Sequence, residues 1–224
     1  MSALTKAPDV MLAQELSKYY HDPLGFVLFA YPWGKKGSTL EYHDGPDEWQ
    51  REFLQDLGRQ VKERGFDGLS PVMPIRMATS SGHGIGKSTI VAWVVDWILS
   101  TRPFSQGTVT ANTFTQLDTK TWAAIRRWTK ICITAHWFEV TTSKVYSKLY
   151  PESWFCQAQS CKEENSEAFA GQHAANSTSF YIFDEASAIS DEIFKVADGG
   201  LTDGEPMMFM FGNPTRNTGK FHRA

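Results

Sequence analysis

The chain has 224 residues, 42% of them hydrophobic, enough to bury one core in one domain. Its formal charge of −3 excludes a protein that holds nucleic acid or an anionic membrane by net charge, so any DNA contact has to be a local patch. Cys132, Cys156 and Cys161 are too few for a disulfide framework, and the longest apolar stretch, Thr89 to Leu99, is broken by Asp96 and too short to cross a bilayer. Reduced thiols and a soluble, intracellular chain are expected.

In chain order, Val10, Met11, Leu12, Leu16 and Tyr19 fall at loosely helical spacing, and Asp22-Pro23-Leu24-Gly25 reads as a turn into the aromatic run Phe26 to Trp33. Gly34 to Ser38 is a loop. Gly45-Pro46-Asp47-Glu48 reads as a helix start, and Trp49 to Gly65 carries a helical pattern through Phe53, Leu54, Leu57 and Val61. Pro74 to Thr79 predicts a short strand, followed by a glycine-rich loop and a buried helix over Ile90 to Leu99. Gly107 to Ala111 predicts a second core strand, Gln116 to Trp128 an amphipathic helix, and 138–160 a β-leaning stretch with a hairpin at the sheet edge. A strand over Ser179 to Phe183, a helix near Ile189 to Ala197 and a buried strand over Pro206 to Phe211 complete the pattern. Strands alternating with helices predict an α/β fold, a mostly parallel central sheet with helices on both faces. Trp93, Trp97, Trp122 and Trp128 sit at core-like helical spacing, which suits packing better than base stacking.

The chemistry concentrates in two places. Ser81-Gly82-His83-Gly84-Ile85-Gly86-Lys87-Ser88-Thr89 stands between a strand and a helix, where a glycine-rich loop can point its N–H groups at a polyphosphate beside the helix's positive end. Lys87 would reach the β- and γ-phosphates, and the Ser88 hydroxyl would ligate Mg2+. The pattern G-x-x-x-x-G-K-[ST] has Ser81 in place of its first glycine. Downstream, the apolar strand Ser179 to Phe183 ends in Asp184-Glu185, and two acids at the end of a buried strand are costly unless they have work there. Asp184 is the candidate for holding the metal and Glu185 for polarising the attacking water. Together the motifs predict binding and hydrolysis of ATP.

Four segments line up in one order: Trp49-Gln50-Arg51-Glu52, the glycine-rich loop, Ile182-Phe183-Asp184-Glu185-Ala186, and Gly212-Asn213-Pro214. With Asp22-Pro23-Leu24-Gly25-Phe26 near the start, the set resembles the N-terminal ATPase half of the tailed-bacteriophage terminase large subunit, a DNA-packaging motor. The resemblance implies a P-loop NTPase of the additional-strand, catalytic-glutamate class, with an N-terminal extension or lid-like segment over 1–45 and the ATPase domain over 46–224. It implies that Gln50 reads adenine and that Asn213 senses the γ-phosphate and couples its loss to movement of DNA. The implied partners are double-stranded DNA, a portal protein, a terminase small subunit and further copies of the chain in a ring on the procapsid, in the cytoplasm of an infected bacterium and without a membrane.

Two departures stand out. The family often carries an arginine inside the P-loop, whereas residues 82–85 are Gly-His-Gly-Ile. A neighbouring subunit is then expected to supply one, with Arg126, Arg127 and Arg216 as candidates. The family's C-terminal nuclease half has no counterpart before Ala224, so no nuclease activity is expected. A nucleotide-binding fragment or scaffold with negligible turnover alone, and a helicase-like translocase, stay open as alternatives.

Overall fold

The computed structural model describes residues 7–80, 82, 84–160, 174, 176–213 and 220–223. Seven strands form one sheet in the order β1 (Ile75–Ser80), β7 (Met207–Gly212), β6 (Ser179–Asp184), β2 (Gln106–Ala111), β5 (Phe155–Ala158), β4 (Lys144–Ser147), β3 (Phe138–Val140). The first five in that order are mutually parallel, and β4 and β3 close one edge as an antiparallel hairpin. The expected edge hairpin is therefore present, while Phe155–Ala158 lies inside the sheet beside β2. One strand, β7, separates the strand that leads into the glycine-rich loop from the strand that ends in Asp184. This is the additional-strand arrangement expected from the resemblance.

The two central strands show why the sheet is buried on both faces. On β6, Phe180 and Ile182 join the main core while Tyr181 and Phe183 face a second cluster, and β7 divides Met207, Phe209 and Phe211 from Met208 and Met210 in the same way. All five of these β7 side chains are buried, so period-two alternation appears as two apolar faces rather than one. Helix α7 (Asp191–Gly199) covers the second face, with Phe194 4.5 Å from Phe183 between ring centroids. Gly107 on β2 is a forced choice, because a Cβ there would lie 2.0 Å from the Phe180 ring.

On the main face, α4 (Lys87–Thr101) is buried along its length from Ile90 to Thr101, between the sheet and the helices α1 (Ala7–Ser17), α2 (Pro23–Ala30) and α6 (Ala123–Ile131). Helix α2 occupies the segment read as a turn and aromatic run. Asp22 caps it by accepting from the Gly25 N–H at 2.9 Å, and Pro23 fills the first helical position, where its missing N–H costs nothing. Leu16, Phe26, Val27, Ala30, Tyr31 and Leu40 from the segment expected as an extension all enter the main core. Tyr31, Trp33, Trp93 and Trp128 form one cluster in which every pair of ring centroids lies 5.0 to 6.3 Å apart. Trp93, Trp97, Trp122 and Trp128 are all buried, so their packing role holds.

Asp96 lies in the middle of α4 and accepts from Tyr31 Oη at 2.7 Å and from Thr129 Oγ1 at 2.6 Å, tying α2 and α6 to α4. Burial pushes its carboxyl from 3.8 up to about 7, against the two hydrogen bonds. The folded chain thus holds a proton that the unfolded chain releases between those values, and stability falls as pH rises through that window. The slope from this group is at most about 1.4 kcal/mol per pH unit. Asp96→Asn keeps one acceptor oxygen, puts an NH2 donor in place of the other and cannot ionise, so urea melts of the variant between pH 4 and 8 are expected to lose this decline. An unchanged decline would place it elsewhere.

Candidate active site

The loops that carry the motifs leave the same edge of the sheet. Register pairs Ser80 with Gly212, Phe211 with Asp184, and Asp184 with Ala111, so β1, β7, β6 and β2 end at one level. The cleft above these carboxyl ends, where parallel sheets place ligands, has a volume of about 480 Å³. Its lining comes from the glycine-rich loop and the start of α4 (Gly84, Gly86, Lys87, Ser88), from the strand ends (Asp184, Glu185, Asn213) and from the segment Thr119, Lys120, Ala123, Ala124 and Arg127.

The glycine-rich loop is shaped by its backbone. Gly84 and Gly86 sit at φ 79° and 88°, a region other residues enter at a cost, and Gly86 is the N-cap of α4. Its carbonyl accepts from the N–H groups of Thr89 and Ile90, which starts the helix directly after the loop. The first turn of α3 (Glu48–Arg64) grips the loop from outside. Trp49 Nε1 donates to the Ile85 carbonyl at 3.1 Å, and Gln50 Nε2 reaches the Gly86 carbonyl at 3.5 Å. Gln50 Oε1 accepts the Asp47 N–H at 2.9 Å, and the side chain is buried. Gln50 therefore lies against the loop, with both ends of its amide in contact with the chain itself. Ser81, His83 and Arg216 lie outside the described residues.

Lys87 connects the loop to the strand ends. Its Nζ donates to the Gly82 carbonyl and to Asn213 Oδ1, both at 2.7 Å. Burial lowers its pKa, while Asp184 and Glu185 pull it back up. Asp184 is nearly buried, and burial raises its carboxyl above the usual range. Its oxygens accept from Thr121 Oγ1 and from the Glu185 N–H at 3.0 Å. A carboxylate disfavoured by burial and held at this cleft suits a facing cation, and the Ser88 hydroxyl is a second hard oxygen donor. Among the described residues no group of three or more His, Cys, Asp or Glu could hold a metal. Two protein oxygens completed by phosphate and water fit Mg2+, which keeps much of its water.

Glu185 is held in an uncommon left-handed conformation, φ 53° and ψ 41°, directly after the strand ends. Lys120 Nζ is 4.0 Å from Glu185 Oε1. Sequence reasoning missed Thr121 and Lys120. Both lie on a π-helical turn, Leu117–Trp122, set between the short helix α5 (Phe114–Gln116) and α6. The expected helix over Gln116 to Trp128 is thus present but contains an extra-wide turn, a feature that recurs at functional sites. Of the arginine candidates, Arg126 is paired with Asp118 at 2.9 Å, and Arg127 lines the cleft of its own chain.

The sheet order and the loop between β1 and α4 give the chain the fold of the P-loop NTPases. No protein-family model matches the chain. A curated relative from Enterobacteria phage P7, described as "Probable terminase, large subunit", is 29% identical over 150 residues, which is 65% of this chain and 30% of that protein. The crystal structure of the HK97 bacteriophage large terminase superposes with a TM-score of 0.57 over 88% of this chain and 38% of that one, at 13% identity, a likeness of fold. A Thermus phage P74-26 large terminase ATPase domain overlaps more loosely, with a TM-score of 0.44 at 16% identity over 61% of this chain and 58% of that one. The resemblance to terminase large subunits read from the motifs is thus met by a sequence relative as well as by the fold. The chain spans about a third of the length of the first two proteins.

Proposed function

We propose that this chain is the ATPase part of a phage genome-packaging terminase, binding Mg-ATP in the cleft and coupling its hydrolysis to movement of double-stranded DNA into a procapsid. The observation that carries the reading is the Lys87 ammonium bridging the glycine-rich loop and Asn213, beside the Asp184–Glu185 pair. In this reading the loop N–H groups and Lys87 bind the β- and γ-phosphates, and Gln50 meets the adenine edge. Ser88 and Asp184 would hold Mg2+, which draws charge from the terminal phosphate when bound. Glu185 accepts the proton of the attacking water as its oxygen bonds to the terminal phosphorus. The bond from that phosphorus to the bridging oxygen breaks, giving ADP and inorganic phosphate. Loss of the phosphate frees Asn213 and Lys87 to close on each other, a route from hydrolysis to the end of β7.

The same reading gives the chain a portal protein, a terminase small subunit and a ring of copies as partners, in the cytoplasm of the infected bacterium. Among the described residues no helix is long and apolar enough to cross a membrane. Steady-state ATP hydrolysis across a range of protein concentrations, with and without linear duplex DNA, tests it. Turnover stimulated by DNA supports a motor, and tight ATP binding with flat, negligible turnover supports the nucleotide-binding fragment instead.

A further inference from the structure

One short element, the π-helical turn Leu117–Trp122, meets both acids at the end of β6. Lys120 Nζ stands 4.0 Å from Glu185, and the next residue, Thr121, donates its hydroxyl to Asp184 Oδ2. The turn is wide because the Ala123 N–H reaches back to the Asp118 carbonyl, five residues away rather than four. Two consecutive side chains then go different ways, Trp122 into the main core and Thr121 onto the carboxylate. A threonine inside a helix commonly bonds the carbonyl one turn back, as Thr119 does with Thr115 at 2.6 Å. Thr121 is 1% exposed and bonds instead to a residue 63 positions away. Asp184 is thereby held at both oxygens, since Oδ1 accepts the Glu185 N–H at 3.0 Å. A carboxylate offers about four acceptor directions, so one is left on each oxygen. Asp184 lines the cleft and Thr121 does not, so the hydroxyl can act there only through the acid.

We propose that Thr121 is a positioning residue for the divalent metal of the nucleotide, its hydroxyl fixing the rotation of Asp184 so that the free acceptor directions face the cleft. The proposal rests on the ATPase reading above and adds to it a residue outside the sequence motifs. Mg2+ demands near-octahedral ligands and keeps much of its water, so the angle at which a carboxylate meets that shell matters. A carboxylate free to rotate loses part of its binding free energy to being ordered. An outer hydrogen-bond partner that orders it in advance is typically worth about 10- to 100-fold in metal affinity or activity. Thr121 is out of reach of the phosphates in this arrangement, so nucleotide without metal is not expected to feel its loss.

The test is equilibrium titration of the non-hydrolysable analogue AMP-PNP into the whole chain, with excess Mg2+ and with EDTA. The ratio of the two affinities measures what the metal adds at the site, separately from turnover. Thr121→Val is expected to cut that ratio about tenfold or more and to leave the EDTA affinity within about twofold of wild type. Thr121→Ala, which sets no methyl group against the carboxylate, is expected to match it. Thr121→Ser keeps the hydroxyl and is expected to stay close to wild type. In an Asp184→Ala background Thr121→Val is expected to change nothing further, because the residue it positions is gone. A ratio unchanged in Thr121→Val and Thr121→Ala would overturn the proposal. An equal loss with EDTA would also overturn it, by making Thr121 part of the shape of the nucleotide pocket. A further loss in the Asp184→Ala background would do the same, by placing its action elsewhere. Wild type that binds the analogue equally with and without Mg2+ would remove the metal reading along with the proposal. Wild type that binds it under neither condition would sink the ATPase reading on which both stand.

Discussion

Glu185→Gln is expected to lower ATP turnover by about 10²- to 10⁴-fold while leaving Mg-ATP affinity within a few-fold of wild type. The substitution keeps the size and the hydrogen-bonding reach of the side chain and removes only its capacity to take a proton. The backbone that aims it is fixed independently, by the turn at φ 53° and by the Glu185 N–H donated to Asp184, so the glutamine should occupy the same place. Lys120 Nζ lies 4.0 Å from Glu185 Oε1 and has less charge to hold in the variant. Single-turnover hydrolysis and nucleotide titration on the same preparations separate the two effects. Equal turnover in wild type and variant would show that Glu185 is not the base, whereas parallel loss of affinity would make it a binding residue.

Glu205→Ala is expected to cost about 3–5 kcal/mol, a large part of the stability of a domain this size. Glu205 and Arg102 form an ion pair at 2.7 Å with side chains 0% and 1% exposed. The carboxylate also accepts from Tyr20 Oη at 3.1 Å and Thr178 Oγ1 at 2.7 Å. The guanidinium donates to Thr101 Oγ1 and the Tyr20 carbonyl, and lies 3.8 and 4.1 Å from the Tyr20 and Trp97 ring centroids. The network ties the end of α4, the approaches to β6 and β7, and the N-terminal segment together at the sheet edge opposite the cleft. Removing the acid alone strands a buried cation among aromatic rings. Replacing both partners, as in Arg102→Met with Glu205→Leu, leaves no charge behind and is expected to cost far less than the single change. Urea denaturation of both variants checks this, and a single change costing under 1 kcal/mol would mean that water reaches Arg102.

The parts legible in the sequence are those where one physical demand dominates. The runs at β6 and β7 had to be buried strands, because short apolar segments ending in acids or Gly-Asn fit nothing else well. The glycine-rich loop was legible because Gly84 and Gly86 occupy backbone angles other residues avoid. Helix α2 was read as a turn because Asp22-Pro23 is equally good chemistry for both, and only the burial of Phe26 and Val27 decides between them. Thr121 looked like any polar position on an amphipathic helix, since nothing in the sequence marks where a π-turn will rotate it onto Asp184. The Arg102–Glu205 pair, 103 residues apart, becomes visible only when the strands are in place. Gln50 was expected at the adenine; its engagement with the Asp47 N–H belongs to the helix cap, which the sequence also permits.

The central claim is that the cleft around Lys87 is a Mg-ATP site. Isothermal titration of Mg-ATP into wild type and Lys87→Ala tests it most directly, because Lys87 bonds to both the loop and Asn213 and lies at the cleft rather than in the core. One saturable site in the wild type, with affinity reduced at least about tenfold in the variant, is the result this account predicts. No binding by the wild type, or binding unaffected by Lys87→Ala, would contradict it.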